Sequence, residues 1–103
     1  MARWIAAAQV ADVPAGTCRE LVVAERIVAL FCVDGEFFAL DGVCPHQGGP
    51  LGQGDLEGCV VTCPWHGWQF DVRTGQHQVH PNLVQPRLAV RIDGGTVYVD
   101  VGD

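Results

Sequence analysis

At 103 residues the chain has the size of one domain, and its composition, 49% hydrophobic and 17% charged, is that of a packed globule and not of a disordered segment. Twelve acidic residues face six basic ones, all arginine, for a net charge of −6. That balance excludes a nucleic-acid binder and fits an anionic membrane poorly, but it suits a partner with a basic patch or serves solubility alone.

From the N-terminus, Met1–Ala8 holds one arginine and a small apolar run that Gln9, Asp12 and Pro14 cut short of a signal peptide. No segment approaches the ~20 apolar residues of a membrane helix, so no membrane association and a cytoplasmic location are expected. Trp4–Ala8 and Thr17–Ala24 are strand candidates around a turn-like stretch, Asp12–Gly16. Ile27–Val33 and Glu36–Leu40 read as a hairpin closed by Asp34-Gly35, which can take positive φ at both positions. From Gly42 to Gly75 the composition changes. Eight of the thirteen glycines lie there, predicting tight loops around a short strand, Cys59–Thr62. Pro81, Leu83 and Pro86 mark a further loop. Leu88, Val90 and Ile92, then Val97, Val99 and Val101 across Asp93-Gly94-Gly95, alternate with polar or small residues and predict a second hairpin. Sixteen valines favour sheet. No helix of length and no internal repeat is evident.

Five cysteines in a chain read as cytoplasmic suit metal binding better than a disulfide framework. Cys18, Cys32 and Cys59 sit at strand-like positions and read as small buried hydrophobes. Cys44-Pro45-His46 and Cys63-Pro64-Trp65-His66 each offer one thiolate and one imidazole from a short loop, with sixteen residues between His46 and Cys63. A proline after each cysteine stiffens the loop. Gly48, Gly49 and Gly67 allow the backbone to approach a bound group closely. His77 and His80 fall outside both motifs and read as solvated polar residues. Trp65 and Trp68 flank His66 and read as packing around the site, with docking as a second role for Trp65.

The pair C-x-H and C-x-x-H, continuing as Cys63-Pro64-Trp65-His66-Gly67-Trp68, resembles a Rieske iron–sulfur domain. The resemblance implies an all-β Rieske fold of small antiparallel sheets, one domain over residues 1–103, with a loop-rich cluster-binding subdomain at about 41–75 inserted in a β base. It implies one [2Fe–2S] cluster, with Cys44 and Cys63 on the inner iron and His46 and His66 on the outer one. It also implies that the 81–86 loop either covers the cluster or is an ordinary connection. High-potential relatives resemble C-T-H-L-G-C and C-P-C-H-G-S-x-Y. Here Gly49 and Trp65 replace the disulfide cysteines, and Trp68 and Phe70 replace the hydroxyl donors. With fewer donors to the cluster, the reduction potential is expected near the low end of roughly −150 to +300 mV.

The chain is similar to the ferredoxin component of bacterial aromatic-ring dioxygenase systems, an electron carrier and not itself an enzyme. This implies transient docking with a flavin-dependent reductase and a terminal oxygenase, by a monomer. Two other readings stand beside it: the small subunit of an assimilatory NAD(P)H nitrite reductase, and a zinc-stabilised interaction module, because Cys₂His₂ also suits zinc.

Overall fold

In a computed structural model the described residues are 2–44, 48–65 and 67–102. Among them ten strands run in chain order: β1 (Trp4–Gln9), β2 (Cys18–Val23), β3 (Arg26–Val33), β4 (Glu36–Asp41), β5 (Asp55–Glu57), β6 (Val60–Thr62), β7 (Gln69–Asp71), β8 (Arg87–Leu88), β9 (Val90–Asp93) and β10 (Thr96–Asp100). The only helical pieces among the described residues are two 3-10 turns, Val10–Asp12 and Leu51–Gln53. No helix among the described residues is long and apolar enough to cross a membrane.

The strands form three antiparallel sheets, ordered β1-β10-β9, β2-β3-β4-β8 and β5-β6-β7. β3 is the shared wall. Its Val28, Leu30 and Cys32 enter one core with Val97 and Val99 of β10. Its Ala29 and Phe31 enter a second core with Leu40, Leu51, Val61, Phe70, Cys44 and Cys63. A strand buried on both faces needs an unbroken apolar run, which Ile27–Val33 supplies. The expected fold class, all-β with several small antiparallel sheets, is the fold observed.

Both predicted hairpins form. Asp34 and Gly35 have φ of 51° and 86°, and Gly94 and Gly95 have 58° and 79°, as two-residue type I′ turns require. One predicted strand divides, however. Leu88 in β8 pairs with Ala39 of β4, whereas Val90 in β9 pairs with Val99 of β10. The chain changes sheets at Ala89, whose carbonyl accepts the Asp100 N–H at 3.0 Å. Alternation therefore fails to bury Ile92, which remains 46% exposed.

A third hairpin joins β2 to β3 through Ala24 and Glu25, at φ 51° and 66°. Neither is glycine, so Cβ crowding in this left-handed region costs about 1–2 kcal/mol per residue. Both side chains are exposed. Glu25→Gly is therefore expected to stabilise the protein by about 1 kcal/mol, less the entropy that glycine adds to the unfolded chain. The measurement is the urea midpoint at unchanged slope, and an unchanged or lower midpoint would contradict the strain.

Candidate metal centre

Cys44 follows β4, and Cys63 follows β6. Both are 1% exposed and lie in the second core. His46 and His66, the other two expected ligands, lie outside the described residues.

The described residues of the two cysteine loops are closed in the same way. The Cys44 N–H donates to the Gly49 carbonyl at 2.8 Å, and the Cys63 N–H donates to the Trp68 carbonyl at 2.8 Å. Each bond spans five residues. In each loop the residue four after the cysteine is a left-handed glycine, Gly48 at φ 71° and Gly67 at 70°. The five-residue pattern C-P-x-x-G thus occurs twice in the sequence. The loops also meet. A Cβ on Gly49 would lie 2.7 Å from Cys63 Sγ and 2.9 Å from Trp65 Cβ, so only glycine lets the first loop lie against the second cysteine.

The first loop is held from behind by Gln85, a residue that sequence reading did not single out. Its side chain is 1% exposed. Nε2 donates to the Asp41 carbonyl at 2.6 Å and to the Val43 carbonyl at 2.7 Å. These bonds satisfy two carbonyls just before Cys44 that would be costly to leave unpaired. A lone glutamine between Val84 and Pro86 carries no sequence signal for this role.

His77 was expected to be solvated, but it is only 6% exposed. The turn after β7, closed by Gly75 N–H to Asp71 carbonyl at 2.7 Å, folds the chain back so that His77 lies opposite Phe70. Directly opposed residues share a face, and Phe70 faces the core. The turn-like Arg73-Thr74-Gly75 was the available signal. His80 is exposed, as expected.

Cys32 is buried, and Cys18 and Cys59 are half-buried. Cys18 Sγ lies 3.2 Å from the Gly54 carbonyl, and burial, then the Asp55 charge, pushes its thiol pKa up. This fits a structural thiol. Trp68 packs at 4.8 Å edge-on to His77 and 6.4 Å from Phe70, whereas Trp65 is 49% exposed. The packing expected of both tryptophans therefore holds for Trp68, whereas Trp65 stands largely at the surface.

Residues 3–93 match the model of the Rieske [2Fe-2S] domain. The chain belongs to the Rieske [2Fe–2S] domain family. It is 42% identical over 80 residues to the ferredoxin component of the p-cumate 2,3-dioxygenase system of Pseudomonas putida, covering 73% of this chain and 65% of that protein. It is 33% identical over 100 residues to the ferredoxin component of the naphthalene 1,2-dioxygenase system of Pseudomonas aeruginosa, covering 96% of each. Among solved structures, it superposes with a TM-score of 0.84 and 31% identity on a chain in the complex of reduced oxygenase and oxidized ferredoxin in carbazole 1,9a-dioxygenase, covering 94% of this chain and 92% of that one.

The cofactor of this Rieske domain is one [2Fe–2S] cluster, and the described part of the site fits it. Two deeply buried cysteine side chains stand at the base of two matching loops, in an apolar surround that restricts solvent. The closed approach at Gly49 leads to a sharp contrast. Gly49→Ala is expected to cost about 1–3 kcal/mol through overpacking against Cys63 and Trp65 and to yield protein deficient in iron and sulfide. Gly67→Ala meets no atom of the described residues within 4 Å and carries the left-handed backbone cost of about 1–2 kcal/mol, so it should retain more cluster. Iron and acid-labile sulfide per chain, with visible absorbance, decide the order; equal retention would remove the close-approach argument.

Proposed function

We propose that this chain is a one-electron carrier, the ferredoxin component of an aromatic-ring oxygenase system, in which Cys44, His46, Cys63 and His66 hold the cluster. It takes electrons from a flavin-dependent reductase and delivers them to a terminal oxygenase, as a cytoplasmic monomer. The observation that carries this reading is the pair of matching loops brought into contact at Gly49 and Cys63, on a chain similar over nearly its full length to a named ferredoxin component. Residues of about 41–75 act as the cluster-binding subdomain, with β5, β6 and β7 as its sheet.

The cluster supplies reversible one-electron chemistry. Two thiolates against two ferric ions and two sulfides leave the oxidised assembly neutral when both imidazoles are neutral, so accepting an electron is easier than with four thiolates. The protein supplies the surroundings. Gly49 and Trp65 offer no inter-loop disulfide, and Trp68 and Phe70 offer no hydroxyl. This supports a potential in the lower part of the Rieske range. Each imidazole that binds iron through one nitrogen retains a titratable N–H on the other.

Voltammetry of the holo-protein across pH tests this. We expect one one-electron wave below about +100 mV, moving to lower potential at alkaline pH as imidazole protons are lost. A wave above that value would overturn the argument from missing donors. Colourless, zinc-containing protein without a wave would overturn the carrier itself.

The end bearing the cysteine loops also carries exposed apolar side chains. Val43 lies beside Gly48, Trp65 against Gly49, and Val84 next to Gln85, which holds the Val43 carbonyl. An apolar tip on an acidic molecule suits brief docking with basic-rimmed partners: charge sets the encounter rate and the aromatic anchor sets the lifetime. Trp65→Ala is expected to raise the reductase's KM for this protein about tenfold while iron content stays constant. For the wild type, kcat/KM should fall as salt rises. Salt-independent rates would remove the role of the −6 charge.

A further inference from the structure

His77 is buried between two exposed glutamines, Gln76 and Gln78. Its Nδ1 accepts two hydrogen bonds, from the Val79 and His80 N–H groups, each at 3.0 Å. A nitrogen that accepts carries no proton, so the imidazole is neutral with its proton on Nε2. Nε2 is itself buried with no hydrogen-bond partner among the described residues. The ring stands edge-on to Trp68 at 4.8 Å and to Phe70 at 5.2 Å. Trp68 is the residue whose carbonyl closes the second cysteine loop.

The imidazole binds the first turn of a strap, residues 77–85, that backbone and Gln76 bonds hold further along. The His77 N–H donates to the Leu83 carbonyl at 2.9 Å, the Leu83 N–H to the His80 carbonyl at 2.8 Å, and Gln76 Nε2 to the Pro81 carbonyl at 3.2 Å. At its far end Gln85 grips the backbone before Cys44. One segment thus touches both cysteine loops, through Trp68 and through Val43. It also carries Val79, Leu83 and Val84, all exposed.

We propose that His77 is a positioning residue of the electron-transfer site: its neutral imidazole, through Nδ1 and its edge-on packing, holds the 77–85 strap against both cysteine loops, and protonation of Nδ1 releases the strap. The proposal rests on the carrier reading for its functional meaning, but not for its geometry. A proton at Nδ1 would face two N–H donors in place of accepting from them, and the ring would become a buried cation.

No described group offsets that charge. From the strap, His80 faces the ring at 5.3 Å between centroids and adds repulsion when protonated. From β7, Asp71 directs its carboxylate to Arg73 at 2.9 Å. Trp68 and Phe70 are uncharged. Burial first, and His80 second, lower the pKa of His77 below 6.5. Because the released strap binds the proton more readily, the closed form is fully present above about pH 6.5 and is lost as pH falls through the lowered value.

Hydrogen exchange of residues 77–85 in the holo-protein, from pH 7.5 down to 5, tests this. In the wild type, protection should fall by up to tenfold per pH unit below about 6.5. His77→Asn places an acceptor oxygen where Nδ1 stands but does not titrate, so it should keep protection flat. His77→Phe keeps an aromatic ring but no acceptor, and should lack protection already at pH 7.5. His80→Gln should keep the transition and move it upward. An acid transition surviving in His77→Asn, or wild-type protection in His77→Phe at neutral pH, would overturn the proposal. Failure of the carrier reading is seen separately, as absent visible absorbance in the wild type.

Discussion

The structure depends on β3 being buried on both faces. Leu30 and Phe31 point in opposite directions from adjacent positions, and neither is exposed to solvent. The face with Val28, Leu30 and Cys32 packs on the β1-β10-β9 sheet, and the face with Ala29 and Phe31 supports the layer that contains Cys44 and Cys63. Fully burying a side chain such as Phe31 contributes about 2–3 kcal/mol. The apolar layer beneath the metal centre is therefore also the layer that couples it to the β base. A substitution at Phe31 should disturb folding and cofactor retention together, because the same contacts serve both.

Above that layer, loop geometry takes over from burial. Each cysteine loop is closed by a backbone bond from the cysteine N–H and turned by a left-handed glycine. Side-chain identity matters little for such a turn, but the absence of Cβ matters greatly. This is why loops that end on different residues, Gly49 in one and Trp68 in the other, can close with the same backbone bond. Gly49 has a separate role: it leaves room for the neighbouring loop, where a Cβ would enter the space of Cys63 Sγ. Backbone shape and close approach are distinct uses of glycine, and the site contains both.

The third support comes from distant sequence. Gln85 and His77 each use side-chain nitrogen to hold backbone, Gln85 as donor to two carbonyls and His77 as acceptor from two N–H groups. Both are buried polar groups, which are costly unless paired and directional when they are. Together they fasten one segment to the backs of two loops. The loop following Pro81, which admitted a reading as a cover or as an ordinary connection, is tied by these bonds into a strap.

The local order of the molecule was legible from residues alone. Period-two alternation placed β10, the Asp34-Gly35 and Gly94-Gly95 turns placed two hairpins, and the spacing of cysteine and histidine marked the candidate ligands and the family. These features are written in residues close together in the chain, where steric and turn chemistry act without tertiary help. Other features depended on contacts between distant segments. The change of sheet at Ala89 follows from which sheet edges Leu88 and Val90 meet. The Ala24-Glu25 turn takes an unfavourable backbone because β2 and β3 must pair in a fixed register. The burial of His77, the grip of Gln85 and the contact of Gly49 with Cys63 arise where residues far apart in sequence compete for the same space. Sequence by itself determined which atoms were available to bind a metal centre; tertiary structure decided how two loops are brought together and what holds them there, because close packing and hydrogen bonding depend on distance in space.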